Sequence, residues 1–542
     1  MDTHMLALST RIRNQPNWTK DRILPEKRRL WHKWGKGSGL CNDEVAFVLD
    51  ELEYYAGICK PEHGMEVGCF DMIWTSDILV DKELCNKLAG QFEAFKQRRD
   101  NRKYVRWHCY WQDVTTLCVV CPSSNMLDFN RTRIHEDMQL RSPEDALKYV
   151  GCGKRPESTK EWEKLYARQG SSVSISWGFM NALSSWRTQS VLPSEVYVDA
   201  AGNARFMTYI NNIHPIKHKQ LYTTIERALT AVIPLFEELL TDMVYPLRLR
   251  IFEDISNGID VRPRVPEINK ISDTFIKKYS EWYHKTKFVP LPSGKFTMPK
   301  RPSYPFSLRR QRLQVVVGST EYIVPPTRSN TGDVAIIALN YTFKVPNERI
   351  IAAAACYYKM ENISSAKQGV SLHYCEDTWG HYHDHENDMF SDGQGDEHLL
   401  DLQNDTADRT FIDTSLAPSC SLGKQNIKEG TCLCFSALYD SNQLEVELVD
   451  LAKQGIIKDL AFYLVDPSVR RISTEIVPPQ QTNWWMDEIF SLPFFQKIPW
   501  LIVERIKYYI SNDDGFYADR LVRDSICTDS DGEYEAIICG GL

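Results

Sequence analysis

The stretch His381–Phe390, HYHDHENDMF, sets three histidines, two aspartates and a glutamate within ten residues. On an extended strand successive side chains alternate between faces, so His381, His383 and His385 would line up together. Imidazole and carboxylate groups hold zinc and non-haem iron, and His-x-His is a spacing such sites use. One reading is therefore a metal site built from His381 and His383 with Asp384, His385 or Glu386. The other is a solvated loop, and the company DMFSDGQGDEH, rich in glycine and acid, favours it. A calcium loop is excluded because Met389 stands at the sixth position from Asp384, where such a loop needs glycine.

Other residues that could do chemistry carry less. Cys118 and Cys121 form a CxxC, but no second pair follows at zinc-ribbon spacing, so they read as buried thiols. His214 and His218, in NIHPIKH, precede a helical pattern and read as hydrogen-bonding groups of a turn and helix start. There is no dinucleotide fingerprint, phosphate-binding loop, nucleophile elbow or HExxH zinc signature.

The elements that must position these groups fall into blocks. Residues 1–140 read as an N-terminal arm and mixed segment, and 141–311 as a mainly helical middle region. In the latter, VYVDAAGNARFMTYI predicts a hairpin turning at AGN, and 221–244 a long helix with an internal proline. From Arg312 the pattern changes to seven short β-rich runs, from RLQVVVGSTEYIVPP to KDLAFYLVDP, with no helical pattern between them. Residues 312–480 therefore predict a jelly-roll core, and 481–542 a C-terminal helical segment. The fold class expected is α+β, a double-stranded β-helix core wrapped by N-terminal and C-terminal helical segments.

Composition narrows the function. The 542 residues carry a net charge of −8, which argues against a nucleic-acid partner. No run approaches the ~18 apolar residues of a membrane span. The N-terminus meets an arginine before it builds an apolar core, and 15 cysteines fit reduced thiols, so a cytoplasmic protein is expected.

Several stretches resemble a fungal family of unknown function that is similar to the Fe(II)/2-oxoglutarate-dependent oxygenases. They include MIWTSDILVDKEL (72–84), MTYINNIHPIKHKQLYTTIERALTAVIPL (207–235), NERIIAAAACYYKMENIS (347–364) and KDLAFYLVDPSVRRISTEIVPPQQTNWW (458–485). The resemblance implies a jelly roll holding iron by a His-x-Glu pair and a distal histidine, with an arginine clamping the far carboxylate of 2-oxoglutarate. Counted onto this sequence, those positions hold Tyr341, Phe343, Ser441 and Ile457. No histidine occurs after Cys432, so the distal ligand has no near substitute.

A phenol, a phenyl ring, a hydroxyl and an alkyl chain rebuild neither an iron triad nor a carboxylate clamp. The expectation is a pocket without metal or cofactor that binds a hydrophobic small molecule and closes or isomerises it. Tyr341 and Ser441 are the expected polar contacts, with Phe343 and Ile457 as apolar walls. The alternatives are an oxygenase with ligands moved to 381–386, and a non-catalytic partner of an active relative.

Overall fold

In a computed structural model the described residues are 3–15, 17–68, 70, 72–97, 105–109, 114–120, 127–128, 132–168, 189–244, 296, 301, 305–326, 335–338, 349–364, 369–374, 420–437, 439–481, 484, 490 and 492–506. The chain divides into two compact units, Met1–Ile73 with Glu238–Phe306, and Trp74–Glu237 with Ser307–Leu542.

The first unit holds helices α1 (Thr3–Arg13), α2 (Trp18–Asp21), α3 (Pro25–Gly37) and α4 (Asn42–Ile58), then strand β1 (Met65–Val67). Helix α4 starts in a capping box: the Cys41 Sγ accepts from the Glu44 N–H, and the Glu44 carboxylate accepts from the Cys41 N–H at 2.6 Å. Gly35 is required for close packing, because a Cβ there would meet Val45 Cγ2 at 2.5 Å. The Arg13 guanidinium lies 3.8 Å from the Tyr55 ring centroid and donates to the Gly68 carbonyl.

Strand β2 (Ile73–Ser76) leads into the second unit, which contains α5 (Lys82–Gln97), β3 (Val105–Cys109), β4 (Val114–Val120), β5 (Leu127–Asp128), α6 (Thr159–Arg168), β6 (Gln189–Ser190), β7 (Ser194–Val198), β8 (Ala204–Phe206) and α7 (Lys219–Val244). After these come β9 (Gln311–Val324), β10 (Ala335–Ala338), β11 (Ile350–Glu361), β12 (Gly369–Tyr374), β13 (Cys420–Asn426), β14 (Cys432–Ser436), β15 (Asp440–Val446) and β16 (Gly455–Val465). The last residues of α7, from Glu238 on, belong to the first unit.

A large antiparallel sheet runs β14-β11-β16-β9-β4-β3. The long strand β9 is shared along its second edge, pairing β7 through 311–315 and β4 through 319–323. A smaller antiparallel sheet has the order β10-β15-β12-β13. The architecture is α+β, with helices and antiparallel sheets. The expected hairpin is present as β7 and β8, with the Asp199 carboxylate accepting from Ala201 and Asn203 and Gly202 at φ +96°. The expected long helix is α7, with Pro234 inside it. The structure adds strands that local patterning did not mark, β3, β4 and β13 among them.

At one corner the chain passes between the two sheets twice, from β11 to β12 and from β15 to β16. Asn362, at φ +56°, holds that corner. Its amide donates to the carbonyls of Asp450 and Lys453 at 2.9 Å, and its Oδ1 accepts from the Asp450 N–H at 2.7 Å. An L-residue in this left-handed conformation is favoured when its short amide bonds locally, as here.

Helix α5 covers one face of the large sheet. Ala352, Ala354 and Cys356 of β11 are small enough to let the helix approach, and all are buried. Leu88 and Phe92 of α5 are buried over them, each contributing roughly 1.5–3 kcal/mol by leaving water. On this face Glu93 and Lys96 of α5 meet Glu321 of β9 and Lys458 of β16 in one ionic network. Burial pushes the Glu93 carboxyl up, but the ammonium groups of Lys96 and Lys458 outweigh it and hold it below its ordinary value.

Candidate functional site

Strand β16 alternates its side chains across the large sheet. Lys458 faces α5, so Ile457 and Asp459 point to the other face. Ile457 is fully buried, with Tyr322 of β9 and Met360 of β11 as its cross-strand partners. Asp459 is also fully buried, opposite Thr320 and Tyr357. Its Oδ1 accepts from the Thr320 N–H at 3.2 Å. The Tyr357 phenol is pushed well above its ordinary value, first by burial and then by the Asp459 charge.

A register shift between Tyr357 and Lys359 shapes this place. It leaves Tyr357 opposite Asp459 while Tyr358 stacks on Phe92 of α5, with ring centroids 5.6 Å apart. The sheet thus presents an apolar wall, a carboxylate and phenols on the face away from α5. Asp459 and Tyr357 were missed by sequence reasoning. The available signal was a single acid, next to Lys458, inside the mainly apolar run IIKDLAFYLV.

Of the expected site residues, Tyr341 and Phe343 lie outside the described residues, as do His381, His383, Asp384, His385 and Glu386. Ser441 is in β15, opposite Leu372 of β12 in the smaller sheet. Ile457 is in the large sheet, so the two stand on different sheets and are not strand neighbours. Among the described residues no group of three or more His, Cys, Asp or Glu side chains is arranged to hold a metal ion. At the position that the oxygenase resemblance gives to the 2-oxoglutarate clamp, Ile457 offers a buried alkyl chain.

Two other polar centres are structural. Glu195 of β7 is fully buried and accepts from Arg470 and Ser473 at 2.7 Å and from Gln314 at 2.8 Å. Gln314 also exchanges two hydrogen bonds with the backbone of Arg471, so the segment 470–475 is pinned to β7 and β9. In the block Tyr209–His218, the His214 Nδ1 accepts from the N–H groups of Ile216 and Lys217 at 3.2 and 3.3 Å. That makes His214 a cap of the turn before α7. His218 packs edge-on against Phe95, and the Tyr209 hydroxyl donates to the Val477 carbonyl.

No helix among the described residues is long and apolar enough to cross a membrane. No curated protein matches the chain. Among solved structures, a selenomethionine-labelled Fe(II)/(alpha)ketoglutarate-dependent dioxygenase, TqaL, matches at 7% identity, over 52% of this chain and 70% of that one, with a TM-score of 0.19. Residues 42–488 match the family described as "Protein of unknown function (DUF4246)", and the chain belongs to that family.

Proposed function

We propose that this protein is an oxygenase-like member of its family that works without iron or 2-oxoglutarate. It binds a hydrophobic small molecule of fungal specialised metabolism and cyclises or isomerises it. The observation that carries this reading is the face of β16, where Ile457 and Asp459 stand side by side in full burial. An alkyl chain there leaves no cation for a cosubstrate carboxylate. A carboxylate in a dry, aromatic setting is instead suited to holding or moving one proton of an apolar substrate.

In this reading the Asp459 carboxylate serves as the proton-holding group, with Tyr322 and Ile457 as walls. Tyr341 and Ser441 donate hydrogen bonds to a substrate carbonyl. The jelly-roll arrangement of the two sheets and a cytoplasmic location belong to the same proposal.

The test starts with tag-free protein loaded anaerobically with Fe(II) and desalted, then titrated calorimetrically with 2-oxoglutarate. The expected results are negligible iron and no binding heat. A fungal producer carrying Asp459→Asn, Tyr341→Phe or Ser441→Ala should accumulate an apolar precursor. Near-stoichiometric iron that is lost in His381→Ala and His383→Ala would overturn the proposal and move the chemistry to HYHDHENDMF.

A second reading, a non-catalytic partner that steadies an active relative, is favoured by one feature. Leu492, Phe494, Trp500, Leu501 and Ile502 are all exposed within one short segment. Co-sedimentation with an active relative that is lost in Trp500→Glu, alongside unchanged metabolite profiles in Asp459→Asn, would favour this second reading.

A further inference from the structure

Beneath α5 the large sheet gathers thiols that the proposed chemistry does not use. Cys356 of β11 and Cys432 of β14 are direct cross-strand partners, and their sulfur atoms lie 3.2 Å apart. Cys434 lies two residues further along β14 on the same face, opposite Ala354. All three are buried, as is Cys85 of α5.

The backbone pattern places the first pair well for a covalent link. The Tyr357 N–H donates to the Thr431 carbonyl, so the neighbouring pair Tyr357 and Thr431 is the hydrogen-bonded one. Cys356 and Cys432 therefore occupy a non-hydrogen-bonded position, where Cα atoms of antiparallel strands come within about 4.5 Å. That separation falls inside the range of about 4.4–6.8 Å that a disulfide spans. The two residues are 76 apart in sequence, and the segment between them includes HYHDHENDMF.

We propose that Cys356 and Cys432 form a redox-modifiable pair, oxidised by a small hydroperoxide to a disulfide that staples β11 to β14 and closes the chain between them into a covalent loop. One sulfur, as thiolate, attacks a peroxide oxygen, giving a sulfenic acid and one water after proton transfer. The partner sulfur then attacks the sulfenic sulfur, forming the S–S bond and releasing the second water. Two thiols and one hydrogen peroxide thus yield one disulfide and two waters; the sulfurs lose two electrons and the peroxide gains them.

The reaction is slow in the closed sheet. The Cys432 thiol is pushed well above its ordinary value by its bond to Cys356 and by burial. Burial acts in the same direction on Cys434. Only the thiolate reacts, so oxidation follows local opening of the strands.

The test uses the full chain, hydrogen peroxide, an acid quench, alkylation under denaturing conditions and non-reducing peptide mapping. Cys41 and Cys152 are exposed and serve as internal controls for fast oxidation. The expected result is a Cys356–Cys432 linked peptide that appears more slowly than the controls react and forms faster in subdenaturing urea. The unfolding midpoint should rise by several degrees, because the link closes a long loop of the unfolded chain. Cys432→Ser and Cys356→Ala should each abolish the link and the shift, so either suffices if the other fails to fold. Cys434→Ser should leave both in place. The proposal is overturned if both thiols remain alkylatable once Cys41 and Cys152 are fully oxidised in urea, or if Cys432 links to Cys434 or Cys85 instead.

Discussion

Replacing Asp459 by asparagine separates a proton-holding carboxylate from a structural one. The substitution keeps volume and keeps an oxygen to accept from Thr320 N–H, so it removes the charge while leaving that bond in place. A hydrogen bond to a charged group contributes about 1.5–3 kcal/mol and a neutral one about 0.5–1.5 kcal/mol, so weakening this bond costs about 1 kcal/mol. Relief from burying a carboxylate offsets part of that loss. The unfolding midpoint in urea should therefore move little. Turnover of the apolar precursor should fall by about 10²–10⁴, the usual contribution of a positioned acid or base. At about 1.36 kcal/mol per tenfold, that is roughly 3–5 kcal/mol on the barrier. Circular dichroism during urea titration and single-turnover conversion on the same preparation read both effects. A variant that loses more than about 3 kcal/mol of stability while its folded fraction turns over normally would falsify the assignment and make Asp459 a structural acid.

Three further substitutions test the packing around the site. Ile457→Ala opens a cavity in a fully buried position and should cost about 2–5 kcal/mol, read as a lower urea midpoint; a loss under about 1 kcal/mol would show that the side chain lines open space. Glu195→Ala leaves Arg470 with Glu475 alone and removes one acceptor each from Gln314 and Ser473 in a fully buried place; a loss of about 3–5 kcal/mol is expected, and a near-neutral result would mean the network adds no stability. Burial raises the Glu226 carboxyl above its ordinary value, while its Oε1 accepts from the Phe206 N–H. The folded chain thus holds that proton more tightly than the unfolded chain, and this contribution to stability is present at low pH and lost as pH rises through the raised value. Glu226→Gln, which keeps the acceptor, should raise the unfolding midpoint at pH 7 but not at pH 4, and an equal shift at both would refute the burial argument.

Local pattern sufficed where an element is held by its own residues. The hairpin of β7 and β8 turns on Asp199 and Gly202, and α7 carries its apolar stripe through Pro234, so both could be read from a dozen residues or so. Strands β3 and β4 were not legible, because β4 is held by β9 about two hundred residues later in the chain. Strand β13, CSLGKQN, lacks an apolar alternation, and its place comes from pairing β12. The oxygenase resemblance singled out Ile457 and Ser441, but position alone could not say that they stand on different sheets.

The site residues that went unread share one cause. Tyr357 and Tyr358 are adjacent, and in an unbroken strand they would simply face opposite sides. The register shift after Tyr357 changes how that alternation meets β16: Tyr357 stands opposite Asp459, and the extra residue, Tyr358, lies on the α5 face against Phe92. A bulge is a property of two strands together and leaves no mark in one strand's sequence. It also divides the work of the sheet. Facing α5, the strands carry the ion network and the thiol pair; on the opposite face, Asp459 and Ile457 stand among phenols. Deleting Tyr358 would restore simple alternation. Lys359 would then follow Tyr357 directly and still stand opposite Lys458, so the later β11 residues would keep their partners and only the stack on Phe92 would be lost.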